Sequence, residues 1–331
     1  MDEKRSPIEP AGRPLPTELA AFAEARVGSF TVNGYSRSPF SSADVWNLAA
    51  SGGDSYFLKH FGYSGRDISG AFTDELRFYR CWAPRLGAFT PEVVGVRQSL
   101  ASRLGRGVLK RWVVRLARWR GASSSALLLS AVPGVRVDLA ALTREQERAV
   151  HVEAGRFLRR LHALPCNGRV AVEDPNQAIG RRAERWAQLA RGKVQDDLVA
   201  WVLKLVRQTD FAGLEYVPAH RDFAPYNWLV HVDGDGLSLY VIDFERARPD
   251  IWLQDLVRLC SGPWLGRPDL KATFFDGYGR VLTGAEQDQL FALQAIDSLF
   301  HLTFGLTKND RPLANRHWKL MTHLRAAPMP L

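Results

Sequence analysis

Polar and apolar positions follow two different periods along this chain. In the first third they alternate. Ser55-Tyr56-Phe57-Leu58-Lys59-His60-Phe61 is rich in aromatics and alternates in character, which predicts a strand with Lys59 on the face opposite Leu58. A strand-like run from Asp44 to Ala50 and a Ser51-Gly52-Gly53-Asp54 turn precede it, so the two runs form a hairpin. From Ile68 to Leu86 the period becomes helical, with Phe72, Leu76, Tyr79 and Ala83 on one face. Val93 to Val96 and Ala126 to Leu129 read as further strands. Beyond them helical spacing dominates. Thr143 to Leu164 carries Val150, Ala154, Phe157, Leu158 and Leu161, and Asn176 to Arg207 carries Trp186, Leu189, Leu198, Trp201, Val202 and Leu205. Alternation returns once, in Trp228 to Val232 and Leu237 to Ile242 around an Asp233-Gly234-Asp235-Gly236 turn, before helical stretches at Trp252 to Leu259 and Lys271 to Leu282.

With 331 residues and 46% hydrophobic content, the chain can bury substantial cores. No apolar run stands out as a bilayer span, and Met1-Asp2-Glu3-Lys4-Arg5 lacks the apolar core of a signal peptide, so a soluble, cytoplasmic protein is expected. Cys81, Cys166 and Cys260 have no metal-ligand spacing and read as free thiols of a reducing compartment. The first sixteen residues hold four prolines and read as a loosely packed arm. The net charge of +9 is concentrated between Arg97 and Gly121, where Arg103, Arg106, Lys110, Arg111, Arg115, Arg118 and Arg120 alternate with Leu104, Val108, Leu109, Trp112, Val113, Leu116 and Trp119. This is the pattern of a basic amphipathic helix. A solvated helix packed beside the neighbouring strands is the plainest reading; peripheral contact with an anionic membrane and an anionic substrate or partner are the others. Nucleic acid is not expected, because no recognised binding motif accompanies the basic stripe.

The residues that suggest chemistry lie around the late hairpin. His220, Arg221 and Asp222 precede Asn227 by a few residues, and Val241-Ile242-Asp243-Phe244-Glu245 closes the second strand. Phosphoryl transfer requires a carboxylate to orient an acceptor hydroxyl and hard oxygen donors to hold magnesium. Asp222 suits the first task. Asn227 and Asp243 suit the second, and the hairpin between them returns Asp243 to Asn227. Upstream, Lys59 suits the phosphates, and Glu75, sixteen residues later in a helix, suits the lysine.

On Lys59, Glu75, Leu127-Leu128-Leu129-Ser130-Ala131-Val132-Pro133-Gly134, Phe157-Leu158-Arg159-Arg160-Leu161-His162, the His220 to Asn227 loop and Ile242-Asp243-Phe244-Glu245, the chain resembles the aminoglycoside phosphotransferase family of small-molecule kinases, relatives of choline kinases. That resemblance, from about Phe30 onward, implies an α+β, two-lobed, protein-kinase-like fold. It would comprise an arm and leading helix over residues 1–29, a nucleotide-binding lobe over 30–132 with the basic insertion near 97–121, and a mostly helical catalytic and substrate lobe over 133–331. It implies ATP or GTP with Mg²⁺, Asp222 as catalytic base, Asn227 and Asp243 as metal ligands, Lys59 on the phosphates and the backbone near Ser130 to Val132 on the purine. Asp255 resembles the position that accepts hydrogen bonds from the catalytic-loop backbone, and His220 supports the same loop. Ser41 and Ser42, in the segment where a glycine-rich loop is missing, are candidates to meet phosphate. Arg221 stands where many members have glycine, and Glu245 stands where a protein kinase has the glycine of Asp-Phe-Gly, which favours a small-molecule acceptor.

The acceptor is expected to be a hydroxyl on a small metabolite or antibiotic-like natural product. Gly168 to Arg207, which would line that side, holds more Arg and Lys than Asp and Glu, an unfavourable balance for a polyamine sugar. Asp174, Glu184, Asp196, Asp197, Asp250 and Asp276 are the acidic residues that would oppose this trend. A lipid- or membrane-associated kinase and a kinase-like nucleotide-binding protein without turnover are the alternatives. The sequence is silent on oligomeric state.

Overall fold

The alternating runs of the first third close into a sheet. A computed structural model of the chain describes residues 13–37, 43–62, 70–99, 124–166, 173–234 and 236–326. Contacts group these into two units, the first comprising Met1–Ala140 with Tyr226–Ala247 and the second Ala141–Pro225 with Arg248–Leu331.

In the first unit, helix α1 (Thr17–Val27) leads into β1 (Phe30–Ser36), β2 (Asp44–Ala50) and β3 (Ser55–Phe61). Helices α2 (Ala71–Cys81) and α3 (Ala83–Leu86) follow, then β4 (Val93–Arg97) and β5 (Ser125–Ser130). The five strands form an antiparallel sheet in the order β1-β2-β3-β5-β4. Side chains alternate across a strand, so each face acquires its own partner. Trp46, Leu48, Leu58, Ala126 and Leu128 turn towards α1 and pack with Leu19 and Ala23. Each large side chain buried in this way contributes about 2–3 kcal/mol of transfer free energy. The opposite face meets α2, where Phe61 and Phe72 pack edge to face with ring centroids 5.4 Å apart. Lys59, one residue from Leu58, lies on this second face.

A smaller sheet in the same unit joins β6 (Val135–Arg136), β8 (Trp228–Asp233) and β9 (Gly236–Val241) in the order β6-β8-β9. The β8–β9 hairpin pairs Trp228 with Val241, as the alternation predicts.

The second unit is mainly helical: α4 (Arg144–His162), α5 (Pro175–Ala190), α6 (Asp196–Gln208), α7 (Val257–Cys260), α8 (Pro268–Tyr278), α9 (Gly284–Lys308) and α10 (Arg311–Ala326). Two short antiparallel strands, β7 (Tyr216–Ala219) and β10 (Arg248–Ile251), pair within it. Capping boxes open α4 at Thr143 and Gln146 and α9 at Thr283 and Glu286, each satisfying amides that a helix start leaves without partners. Helices α4 and α8 interlock through glycine. A Cβ on Gly155 would strike the Phe274 carbonyl, and one on Gly277 would strike the carbonyl of Val152.

Several boundaries differ from those the periodicity predicts. The stretch read as one helix to Leu86 breaks at Trp82. Asn176 to Arg207 divides into α5 and α6 around Gly192, whose φ of 69° cannot continue a helix. Trp252 to Leu259 is a 3₁₀ turn over Trp252–Asp255 followed by the single turn of α7, and α8 ends at Tyr278 because Gly279 adopts a left-handed conformation. Helix α9 is the one described helix long and apolar enough to cross a membrane, with a mean hydropathy of 1.3 over its most apolar window. Some 61% of that window is buried inside the protein, as in a core helix, and α9 packs on α5, α6, α7 and α10.

Candidate active site

The placement of Lys59 on the α2 face of the sheet decides its partners. Its Nζ donates to Glu75 Oε1 at 2.7 Å and Oε2 at 2.6 Å, and to Asp243 Oδ1 at 2.9 Å. All three side chains are buried, Glu75 completely. Burial opposes the charge on Lys59, but Asp243 and Glu75 outweigh it and hold the ammonium above its ordinary value. Burial pushes Glu75 up to about 7 although Lys59 pulls the other way. Glu245, also buried, adds to the negative charge that Lys59 faces.

Two devices bring Asp243 to this point. The hairpin sets its chain position, because Ile242 N–H donates to the Asn227 carbonyl at 3.0 Å and closes the ladder beside the buried Asn227. The backbone of Asp243 then turns into the left-handed region at φ 68°, an unusual conformation for a non-glycine residue and one often found at functional sites. Phe244 locks that turn against α2, stacking on Phe78 with centroids 3.4 Å apart and an interplanar angle of 7°. Phe78 lies three residues after Glu75, so one helix face registers both the lysine's partner and the aspartate's anchor.

Asn227 and Asp243 supply a neutral amide and a carboxylate, both hard oxygen donors, at the two ends of one hairpin. Magnesium takes one or two protein oxygens and keeps waters or phosphate oxygens for the rest, so this set fits it. Asp243, Glu75 and Glu245 all act on the Lys59 ammonium, so the site gathers negative charge around it. Among the described residues no group of three or more His, Cys, Asp or Glu is arranged to hold a metal, which sets this site apart from a tight all-protein cage.

Asp222 belongs to the second unit, on the loop that leaves β7. Asp255, fully buried, holds that loop from behind. Its Oδ2 accepts the His220 N–H at 2.9 Å and its Oδ1 accepts the Arg221 N–H. The same carboxylate lies 3.0 Å from His162 Nε2, whose Nδ1 is 2.8 Å from the Tyr278 hydroxyl. Within the loop, Asp222 N–H donates to His220 Nδ1 at 3.3 Å. Phe223 stacks on Phe157 of α4 with centroids 5.8 Å apart. Arg221 takes a positive φ of 65° and donates through Nε to Asp250 Oδ2 at 2.6 Å. Burial opposes the charge on Asp250, but Arg221 and Arg182 outweigh it and keep the carboxylate below its ordinary range.

Ser130 ends β5, where its Oγ accepts the Glu92 N–H and its own N–H donates to the Glu92 carbonyl, both at 2.9 Å. Val132 follows it, half-buried. Ser41 and Ser42, the basic residues from Arg103 to Arg120 and the first twelve residues of the arm lie outside the described residues.

One residue escaped the sequence reading. Arg258 on α7 places Nε 3.4 Å from Asp222 Oδ1 and Nη1 3.8 Å from Asp297 Oδ2. The available signal was an arginine in Leu256-Val257-Arg258-Leu259, a charge among residues that all become buried.

Comparison with known proteins places the chain in a family. A family model described as "Phosphotransferase enzyme family" matches residues 38–291, well over half of the chain and a span that contains Lys59, Glu75, Asp222, Asn227, Asp243 and Asp255. The chain belongs to the phosphotransferase enzyme family. No curated protein matches it in sequence. Among solved structures, the GDP complex of aminoglycoside 2'-phosphotransferase-IIIa superposes with a TM-score of 0.66 at 12% identity, covering 93% of this chain and 98% of that one. A thermostable mutant of aminoglycoside phosphotransferase APH(4)-Ia gives a TM-score of 0.64 at 16% identity, with 93% and 100% covered. A macrolide 2'-phosphotransferase type I gives 0.58 at 16% identity, with 95% and 99% covered. At these identities the likeness shows a shared fold: an N-terminal antiparallel sheet followed by a mostly helical part.

Proposed function

We propose that the protein transfers the γ-phosphoryl group of ATP or GTP to a hydroxyl of a small molecule. The observation that carries this reading is the buried Lys59–Glu75–Asp243 constellation, built on the same hairpin that delivers Asn227. An ammonium clamped between carboxylates in a buried site is costly unless the cation has further work, and binding phosphate oxygens is work that this geometry suits. Lys59 contacts the α- and β-phosphates while Glu75 fixes its direction. Asn227 and Asp243 are the residues that hold magnesium, which when bound neutralises the phosphate oxygens and polarises the transferred group. Asp222 orients the acceptor hydroxyl and takes its proton on a carboxylate oxygen, while Asp255 keeps the loop backbone rigid beneath it. Val132 is a better reader of the purine than Ser130, whose N–H and Oγ are both engaged with Glu92.

The acceptor is neutral or anionic near its reactive hydroxyl. Two of the acidic side chains that would compensate a polycation are committed internally. Asp250 is buried and held by Arg221 and Arg182, and Asp174 caps α5 through the Gln177 N–H. A nucleotide-consumption screen with magnesium, across hydroxylated metabolites, macrolides and aminoglycosides, tests the proposal. Turnover is expected with a neutral or anionic acceptor, is lowered by orders of magnitude in Asp222→Asn and is lost in Asp243→Ala. Nucleotide binding without turnover on any acceptor supports the binding-protein reading instead.

A further inference from the structure

Arg258 is placed where a fold alone has little use for a cation. Helix α7 is a single turn, and Leu253, Leu256, Val257 and Leu259 around it are fully buried. The Arg258 side chain is 13% exposed. Taking a guanidinium out of water costs several kcal/mol unless carboxylates compensate it, and an aliphatic residue would fill the same space without that cost. Here it bridges two carboxylates, with Nε 3.4 Å from Asp222 Oδ1 and Nη1 3.8 Å from Asp297 Oδ2.

Asp297 is itself anchored. It lies on α9, and His301, one turn later, places Nδ1 3.3 Å from Asp297 Oδ2 and 2.8 Å from the Asp297 carbonyl. Both neighbours are acceptors, so Nδ1 carries the proton. The His301 ring stacks on His317 of α10 with centroids 4.7 Å apart. Burial opposes the charge on Asp297, yet His301 and Arg258 outweigh it and hold the carboxylate well below its ordinary range, whereas burial and His301 push His317 down to about 2 and leave it neutral. The anion at the far end of Arg258 is therefore permanent at working pH. An anion 3.8 Å from one end of a planar guanidinium draws that end towards α9 and so biases the direction of the Nε end.

We infer that Arg258 is a positioning residue for phosphoryl transfer, oriented by Asp297 so that it holds the Asp222 carboxylate in the direction required by the acceptor hydroxyl. This rests on the assignment of Asp222 as the group that receives the hydroxyl proton. Backbone anchoring by Asp255 fixes where Asp222 starts, and the Arg258–Asp297 pair fixes where its carboxylate points. Neither substitute for the pair would serve. A hydrophobic residue at 258 would remove the guanidinium from Asp222, and a neutral residue at 297 would remove the anion that its far end faces.

The test measures magnesium-dependent turnover of ATP and GTP, with water or an acceptor found by screening, in the wild type, Arg258→Met, Arg258→Lys, Asp297→Asn, Arg258→Met/Asp297→Asn and Asp222→Asn. Rates are expressed per nucleotide-binding site, so unfolded material does not count. Arg258→Met is expected to lower kcat by about 10- to 100-fold while KM for nucleotide stays within about twofold, the usual effect of losing a supporting partner. Asp297→Asn lowers kcat in the same sense, the double variant loses no more than Arg258→Met alone, and Arg258→Lys or added guanidinium recovers part of the loss. A melting temperature that falls while kcat per site stays at the wild-type value would show a purely structural ion pair and overturn the inference. If Arg258→Met does not fold, Asp297→Asn decides by the same criterion. Asp222→Asn separates the two levels. Full turnover in Asp222→Asn overturns the Asp222 assignment and the inference with it, whereas its loss alongside wild-type kcat in Arg258→Met and Asp297→Asn overturns the inference alone.

Discussion

Replacing Lys59 by methionine removes the ammonium that bonds Glu75 and Asp243, and the consequence depends on pH. Glu75 is fully buried and titrates at about 7 against an ordinary value of 4.5. Its folded pKa is raised, so the stability linked to its proton is complete below 4.5 and is lost as pH rises through 7. Without Lys59 the carboxyl moves higher still, because burial is left with less opposition. Below pH 7 Glu75 is then protonated in both proteins, and the variant loses only hydrogen bonds, about 1–3 kcal/mol. Above pH 7 the wild type releases the proton and the variant keeps it. The difference in stability therefore widens by about 1.4 kcal/mol per pH unit. By pH 9 the total loss reaches about 4–6 kcal/mol, at or somewhat above the size found when one partner of a buried pair is removed. Urea unfolding at pH 6 and pH 9, without nucleotide or metal, measures both ends. A loss that is independent of pH would refute the reasoning, as would a pH dependence that survives when Glu75→Gln is added to Lys59→Met.

Three further outcomes follow from single contacts. Asp222→Asn should lower the rate of phosphoryl transfer by about 10²–10⁴-fold with nucleotide affinity unchanged, read by steady-state kinetics and calorimetry. Asp255→Ala leaves the N–H groups of His220 and Arg221 without their acceptor, together with His162. Chemical denaturation should show a loss of about 2–4 kcal/mol, and faster amide exchange at residues 220 and 221 should localise it. Gly155→Ala drives a methyl group into the Phe274 carbonyl where α4 meets α8 and should cost about 1–3 kcal/mol, whereas the same change at Gly180, which has open space, should cost little.

Much of the placement of the candidate site residues was legible because they are tied to local elements that the sequence announces. Lys59 sits in an alternating strand, Glu75 in a helix of clear period, and Asn227 and Asp243 at the two ends of a hairpin whose turn is written in its glycines. Strands β2 and β3 fall on the residues expected of them, and β8 and β9 nearly so, because one buried face fixes their register. What escaped depends on tertiary contacts. Strands β7 and β10 are four residues each and carry Pro218 and Pro249, so neither shows a β pattern of its own. Helix α9 is buried on so many sides that its apolar residues do not form a stripe. Arg258 was unreadable as a functional candidate because its partners, Asp222 and Asp297, lie 36 and 39 residues away in the chain and meet it only in the folded unit. The break at Trp82 does have a local signal in Pro84, which lacks the N–H needed to continue α2 and instead fits the first turn of α3.

Phosphorus NMR of the protein with magnesium, ATP or GTP and the acceptor found by screening tests the central claim most directly. The γ-phosphate resonance should decline while a phosphomonoester resonance on the acceptor grows in equal amount, and Asp243→Ala should show neither change. A γ-phosphate that disappears only into inorganic phosphate, or transfer that persists undiminished in Asp243→Ala, would contradict the account.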